Sequence, residues 1–595
     1  MADWHSRVGK TPDDATSNNK EEEPSKPLPF KSRRSPVLST NGAICSSQPL
    51  ASSIGLQILC NGGNVADAAI ATAAALAVTE PCSTGLGGDM FALHYDANER
   101  KVSSINGSGR CPTQLTLQHL KSQFPDGNGG IDAQKFMKSA CAVTIPGAAR
   151  GWEDYYNRHA SKNFSFGELL EPAAKLAEEG FPVAPITAHH WAHGVEKDIK
   201  RWISDEDVED GNVPFTNSGD GPEPGEIFRN EEMAAVLRAL GKFGATQGFY
   251  ESFPGEEIVK AVNKHGGIMT FDDFKEESTL STFPEPIFVE YQGVKLWQVP
   301  PNGQGIAGLI ALSGIDALEK EGKLEKPFLN ENGSWSTETL HAMIEMMRLG
   351  FGDARAFVCD TDFSSKEDTK RDEYLLNRER IAKRASDLFN TRQAVVEGLP
   401  DPTSCTVSFQ VVDKEGNAVS FVNSNFMGFG TGIVPDKCGF SLQNRGFGFS
   451  LEYDHPNALA PRKRPYHTII PGMLTYADTN ELYATLSNMG GYMQPQGHMQ
   501  LTVAMVSEGL DPQTAIDTPR FCIADGTHNG TVFLEDGFDL NVIQTLKEMG
   551  HNLEAGLSGY ERSLFGKAQI IKKDRENKVL WAGSDGRSDG CAMGY

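Results

Sequence analysis

The chain has 595 residues and a mass of 64.7 kDa, enough for several domains or one large layered one. Hydrophobic residues make up 39% and charged residues 23%, the composition of a soluble globular protein, and a formal net charge of −24 argues against nucleic acid as a partner. Ten cysteines, none in a CxxC pair or in zinc-ligand spacing, argue against a disulfide framework and a structural metal and fit a reducing compartment.

Residues 1–36 are polar, proline-bearing and without apolar periodicity, the pattern of a disordered tail with no secretion signal. The longest apolar run, Ala68 to Val78, is alanine-rich and too short to span a bilayer, so the chain reads as cytoplasmic, with no membrane partner. From Val37 onward, SSQPLASSIGLQILC and VADAAIATAAALAVTEP predict two helices separated by the Asn61-Gly62-Gly63-Asn64 turn. TGLGGDMFALHYD predicts a glycine turn feeding a strand, with a second strand at KVSSINGSG. Gly85-Leu86-Gly87-Gly88 carries turn chemistry, since no strand–GxGxxG–helix unit surrounds it.

A mainly helical stretch runs from about Gly147 to Lys264, with Phe166 to Glu179 amphipathic and residues 203–231 an acidic surface loop. PIFVEYQGVKLWQVPP reads as strand and ETLHAMIEMMRLGFGDARAFV as helix. Residues 360–401, charged and apolar-poor in their first half, are expected to be solvent-exposed and mobile, as a cleavage region must be. Thr406 to Val412 alternates with period two, residues 413–417 turn, and Ala418 to Asn423 alternates again, which predicts a β-hairpin beginning at Thr406. Strands recur at LYATLSN and TVFLE, with helix from Gln500 between them. Helix and strand alternate in blocks without an internal repeat, which predicts an α+β layered fold.

Motifs along most of the chain resemble the γ-glutamyltransferase family: NGGNVADAAIATAAALAVTEP, TGLGGDMF, TIPGAARGW, PPNGQG, VVDKEGNAV, FGTGIV, LAPRKRPYHTIIPGM, MGGYMQPQ and SDGRSDGCAMGY. That resemblance implies an N-terminal-nucleophile hydrolase with a four-layer αββα fold. One precursor would be cut into a large subunit (37–405) and a small subunit (406–595) that together build the fold. The family's nucleophilic threonine lies seven residues before the Asp of the VVD turn, which is Asp413 here, and the count lands on Thr406. Cleavage then falls between Cys405 and Thr406. By itself TVSFQVV shows ordinary β-propensity, and Cys405 is a competing nucleophile one residue out of register.

Such chemistry needs a free N-terminus. A threonine hydroxyl is a poor nucleophile until a base takes its proton. The α-amine uncovered by cleavage, with an ordinary pKa of about 7.7–8.0, supplies that base within the same residue. The resemblance assigns the oxyanion donors to the amides of Gly490 and Gly491, a pair that in isolation reads as a turn. It assigns a positioning hydroxyl to Ser424. No cofactor or metal is implied.

The substrate anchors match less well. The arginine that clamps the substrate carboxylate in the family corresponds to Ser108, with Arg110 two residues later. The asparagine twenty residues after the nucleophile is Phe426, with Asn425 beside it. The aspartate for the substrate ammonium is Gly448, and a Ser-Ser pair is His467-Thr468. Arg445 of LQNRG lies near the lost aspartate and suits a carboxylate, or a structural salt bridge. N-G-S-G-R-x-P, L-Q-N-R-G and G-G-x-x-Q-P-Q are more similar to the family's acylase and oxamate-type branch. The expected function is cleavage of small glutathione-like γ-glutamyl amides, with transfer to water or an amine. The alternatives are a related acylase or amidohydrolase with a remodelled pocket, and a non-catalytic binding protein.

Overall fold

In the computed structural model, residues 34–275, 279–363, 371–394, 406–528 and 530–595 are described. Most of the tail and the Cys405 side of the junction lie outside them. The hairpin expected at Thr406 forms: β9 (Val407–Val412) and β10 (Ala418–Ser424) pair antiparallel, with Val412 opposite Ala418 and Val407 opposite Asn423. Its alternation separates two buried faces rather than core from solvent. Phe409, Val411, Val419 and Phe421 enter one helical core, whereas Gln410 and Ser420 point at a second sheet, through Gln410 Nε2 to Ser487 Oγ (2.5 Å) and Ser420 Oγ to the Leu486 carbonyl (3.1 Å).

The hairpin is the middle of a six-stranded antiparallel sheet. Its order is β18 (Cys591–Gly594), β2 (Ala43–Ser46), β9, β10, β3 (Asp89–Asp96), β4 (Lys101–Gly107). The facing seven-stranded sheet runs β1 (Val37–Ser39), β17 (Leu580–Ser584), β16 (Lys567–Lys573), β12 (Leu482–Met489), β11 (Gly472–Tyr476), β8 (Val294–Gln298), β7 (Ile287–Tyr291). A third sheet holds β13 (Phe521–Ile523), β14 (Val532–Glu535) and β15 (Leu553–Leu557), and β5 (Phe181–Pro182) pairs with β6 (Ile227–Phe228).

Helices cover both outer faces. Over the six-stranded sheet lies Val65–Thr79, buried along its whole length. Its alanines let neighbours approach closely, and Asn64 and Asp67 close a capping box at its start. Amphipathic Phe166–Glu179 packs beyond it, capped by Ser165 and Glu168. Over the seven-stranded sheet lie Gly305–Lys320, Thr337–Phe357 and Met493–Val506. A smaller apolar cluster with Phe91, Val422, Met473 and Ile571 fills the space between the sheets. The layering is therefore helix–sheet–sheet–helix, as expected.

One expectation is corrected. Part of residues 360–401 is ordered helix, Arg378–Leu388, held by Asn377 at its start and by buried Ile381 and Ala385. Its apolar stripe is too narrow to stand out in so charged a segment. Among the described residues no helix is long and apolar enough to cross a membrane.

Candidate active site

Hairpin register places Thr406 and Ser424 at the same end of the central strands, and their hydroxyl oxygens lie 3.0 Å apart, both fully buried. Ser424 Oγ also accepts the Phe426 amide (2.8 Å), which fixes the turn leaving β10. Phe426 has φ +79°, a strained conformation for a bulky residue, and strain of this kind concentrates at functional sites. Asn425 is turned away from Thr406: its amide bonds the Ser83 carbonyl and its side-chain nitrogen the Pro81 carbonyl.

The Arg445 guanidinium lies 4.0 Å above the Phe426 ring and donates from Nη1 to Thr468 Oγ1 (2.8 Å). Its Nε and Nη2 are buried without a hydrogen-bond partner. Burial pulls its pKa down to about 9, while the Asp89 carboxylate pulls it back up. The Thr468 carbonyl accepts from Gln304 Nε2 (2.7 Å), and the same nitrogen donates to the Gly491 carbonyl (2.8 Å). Thr406, Ser424, Phe426, Arg445, Thr468, Gln304 and Gly491 thus form one unbroken series of contacts.

Gly490 and Gly491 sit between β12 and the helix Met493–Val506, at φ +139° and +56°. Their carbonyls accept from the Met493 and Gln494 amides, so the start of the helix fixes the pair. A Cβ on Gly490 would come within 3.1 Å of Gly566.

Asp89, the last residue of TGLGGD, organises the floor. Its Oδ1 accepts from the amides of Gly109 (2.8 Å) and Gly147 (3.2 Å) and from Gln443 Nε2 (3.0 Å). Its Oδ2 accepts from His467 Nε2 (2.9 Å), whose Nδ1 accepts the Ile469 amide. Burial, then the nearby Arg445 charge, pulls His467 down to about 3, so it is neutral. His467 and Thr468 therefore have protein partners, and Arg445 keeps two donors without one. Arg110 lies elsewhere, beside Arg464, Asp360 and Asp362, with Nη1 reaching the Leu280 carbonyl. Sequence reasoning missed Asp89, Gln304 and Tyr492 as site residues, although the motifs TGLGGD, PPNGQG and MGGYMQPQ contain them.

A cavity of about 460 Å³ opens beside this series, lined by Met427, Phe447, Gly448, Tyr466, Tyr492 and Arg355 among others. Arg355 lies over the Tyr492 ring at 4.4 Å. A Cβ at Gly448 would sit 2.4 Å from the Tyr466 carbonyl oxygen, so no side chain fits there without moving that backbone. Away from the site, buried His341, Glu345 and His551 form the described group with metal-ligand character. His341 Nδ1 and His551 Nε2 are hydrogen-bonded at 2.7 Å and Arg348 donates to Glu345, while His551 Nδ1 has no hydrogen-bond partner.

Two antiparallel sheets between helical layers, with a buried hydroxyl at the head of the central hairpin, are the marks of an enzyme of the N-terminal-nucleophile hydrolase class. Comparison with known proteins narrows this. The sequence model of the gamma-glutamyltranspeptidase family matches residues 51–595, and the chain belongs to that family. It is 34% identical over 562 residues to a glutathione hydrolase-like proenzyme, YwrD, of Bacillus subtilis, covering 94% of this chain and 99% of the relative. An oxamate amidohydrolase proenzyme of Klebsiella pneumoniae is 28% identical, with 94% and 99% covered. Among solved structures, a cephalosporin acylase from Bacillus halodurans superposes with a TM-score of 0.82 at 35% identity, covering 96% of this chain and 99% of that one.

Proposed function

We propose that the chain is a precursor that cuts itself before Thr406 and then acts as a threonine amidase on small amides whose acyl group carries a carboxylate. The observation that carries this reading is the series of contacts joining the Thr406–Ser424 hydroxyl pair to Gly491 through the partner-poor Arg445. In the precursor, Thr406 Oγ1 adds to the Cys405 carbonyl, and the Cys405–Thr406 C–N bond breaks as the hydroxyl proton passes to the Thr406 nitrogen. Water then hydrolyses the resulting ester to a Cys405 carboxylate and a free Thr406 hydroxyl. In the processed enzyme the α-amine takes the hydroxyl proton, directly or through one water, as Oγ1 adds to the substrate carbonyl. The oxyanion faces the amides of Gly490 and Gly491, each donor worth about 2.7–4 kcal/mol where such a group has been removed. The C–N bond then breaks, the proton passes to the departing nitrogen, and water or a second amine takes the acyl group from Thr406.

Within this chemistry, γ-glutamyl compounds such as glutathione are the first candidate donors. A second reading, an acylase or oxamate-type amidohydrolase whose acyl group lacks an α-ammonium, is favoured by Gly448 and Ser108. Position 448 has no room for an aspartate, and Ser108 Oγ accepts from Asn302 Nδ2 (3.1 Å). The name of the glutathione hydrolase-like relative supports the first reading, and those of the oxamate amidohydrolase and cephalosporin acylase relatives support the second.

A denaturing gel of purified protein should show two chains, the smaller beginning Thr-Val-Ser-Phe-Gln. A start at Cys405 moves the nucleophile, and a persistent full-length chain favours the non-catalytic alternative. With a glutaryl and a γ-glutamyl amide of the same amine, kcat/KM should differ by less than tenfold. A larger preference for the glutamyl compound would mean that other residues have rebuilt an ammonium clamp.

A further inference from the structure

An amidase must hold two halves of its substrate, one on each side of the scissile carbonyl. Tyr492, which directly follows the glycine pair, lines two cavities. One is the cavity beside Gly448; the other, about 420 Å³, includes Gly490 and Met489 in its lining. We propose that this second cavity receives the amine half of the substrate, and that it selects a flat, uncharged amine of aryl or heteroaryl type. The inference rests on the assignment of Gly490 and Gly491 given above.

The walls argue for that chemistry. His189 and His193 lie one turn apart on the helix Pro185–Gly194 and so share a face. The His189 ring stacks on Tyr560 at 3.7 Å with an interplanar angle of 6°, joining this helix to the turn Gly559–Phe565 in an aromatic wall. Leu564 and Met489 add apolar surface. The helix is anchored at its start, where Asp589 accepts the amides of Ile186 (2.9 Å) and Thr187 (2.8 Å). The wall is therefore fixed in place before any ligand arrives.

Charge in the cavity is arranged against an anionic amine. Lys567 is paired with Glu80 at 3.2 Å with both groups buried, so its charge is already offset before any carboxylate arrives. Glu561 adds a negative charge to the lining. His190 lines the cavity, and burial keeps its ring neutral by pulling it down to about 3. A neutral imidazole edge suits a polar substituent on a flat ring. Aromatic contacts of this kind contribute beyond the area they bury, so the expected effects are several-fold.

The test uses 4-nitroaniline as the probe, with equilibrium dialysis against purified wild type, His189→Ala and Tyr560→Ala. Both residues are exposed, and circular dichroism checks that each variant folds. Binding at least fivefold weaker in both variants is expected. On the same proteins, kcat/KM for glutaryl 4-nitroanilide relative to the primary amide of the same acid should fall at least fivefold. Unchanged affinity and an unchanged ratio overturn the proposal, as does a wild-type preference for a glycine leaving group over the aryl amine. Absence of any turnover would count against the Thr406 reading alone, since dialysis decides the cavity without catalysis.

Discussion

The two ends of the contact series that begins at Thr406 are built differently from its middle. At the hairpin end, Ser424 is bonded to Thr406 and to the Phe426 amide; at the other, the glycine carbonyls are taken by the following helix and by Gln304. Between them Arg445 is fully buried with two donors facing no acceptor. On the reading proposed above, the protein holds the reacting groups in place and leaves recognition for a ligand to complete. Other buried side chains also keep polar atoms without partners, but Arg445 is the one in the contact series, and on the same reading its two donors are where the substrate's own carboxylate would bind.

The sharpest way to break the contrast is at its fixed end. Thr406→Ala should leave a single uncut chain with no measurable turnover, and residual processing on a gel would reassign the nucleophile. Next in size, Gly491→Val puts a β-branched residue at φ +56° and should lower turnover at least tenfold. Full activity in a folded Gly491→Val protein would take this turn out of the site.

The middle of the series should respond in the opposite sense on stability. Arg445→Met removes a buried charge with incomplete partners, so thermal stability should hold within about 1 kcal/mol or rise. KM for a glutaryl amide should meanwhile increase about tenfold, because a charged hydrogen bond contributes about 1.5–3 kcal/mol. Severe destabilisation with unchanged KM would make Arg445 a structural residue.

The last expected effect is on pH dependence. His467 titrates near 3 in the folded protein, against about 6.5 when unfolded. The unfolded chain therefore binds the extra proton between those values, and stability is lost as pH falls from about 6.5 toward 3. His467→Gln retains a donor for Asp89 and should flatten part of that loss in a series of melting curves. An unchanged slope would show that other buried histidines carry the effect.

Local patterning made much of this legible. Alternation at TVSFQVV and AVSFVN gave the hairpin, and the capped period of FGELLEPAAKLAEE gave a helix with matching limits. The family resemblance, counted back from the Asp of VVDKEGNAV, led to Thr406 and assigned the positioning hydroxyl to Ser424, and the structure brings the two hydroxyls within 3.0 Å. What stayed hidden depends on distant pairing. Nothing local tells that Asp89 will meet His467, 378 positions away, or that Gln304 will bridge Thr468 and Gly491. Arg110 lies beside Arg464, which itself bonds the Ser108 carbonyl, and neither contact can be read from spacing. The Gly448 substitution was visible, but its cause, a carbonyl oxygen 2.4 Å from where a Cβ would stand, required the fold.

Both sheets are woven from strands that precede Thr406 and strands that follow it. β2 sits between β18 and β9, β3 lies against β10, β17 holds β1, and β11 holds β8. A cut before Thr406 would leave these five pairings intact, so the pieces would stay joined without a covalent link. Reassembly is another matter. An uncut chain folds as one molecule, whereas two separated pieces must meet first, with a rate that depends on their concentration. For a chain cut there, folding would have to precede cutting, and the lifetime of the cut protein would be governed by how slowly it unfolds rather than by how readily it refolds.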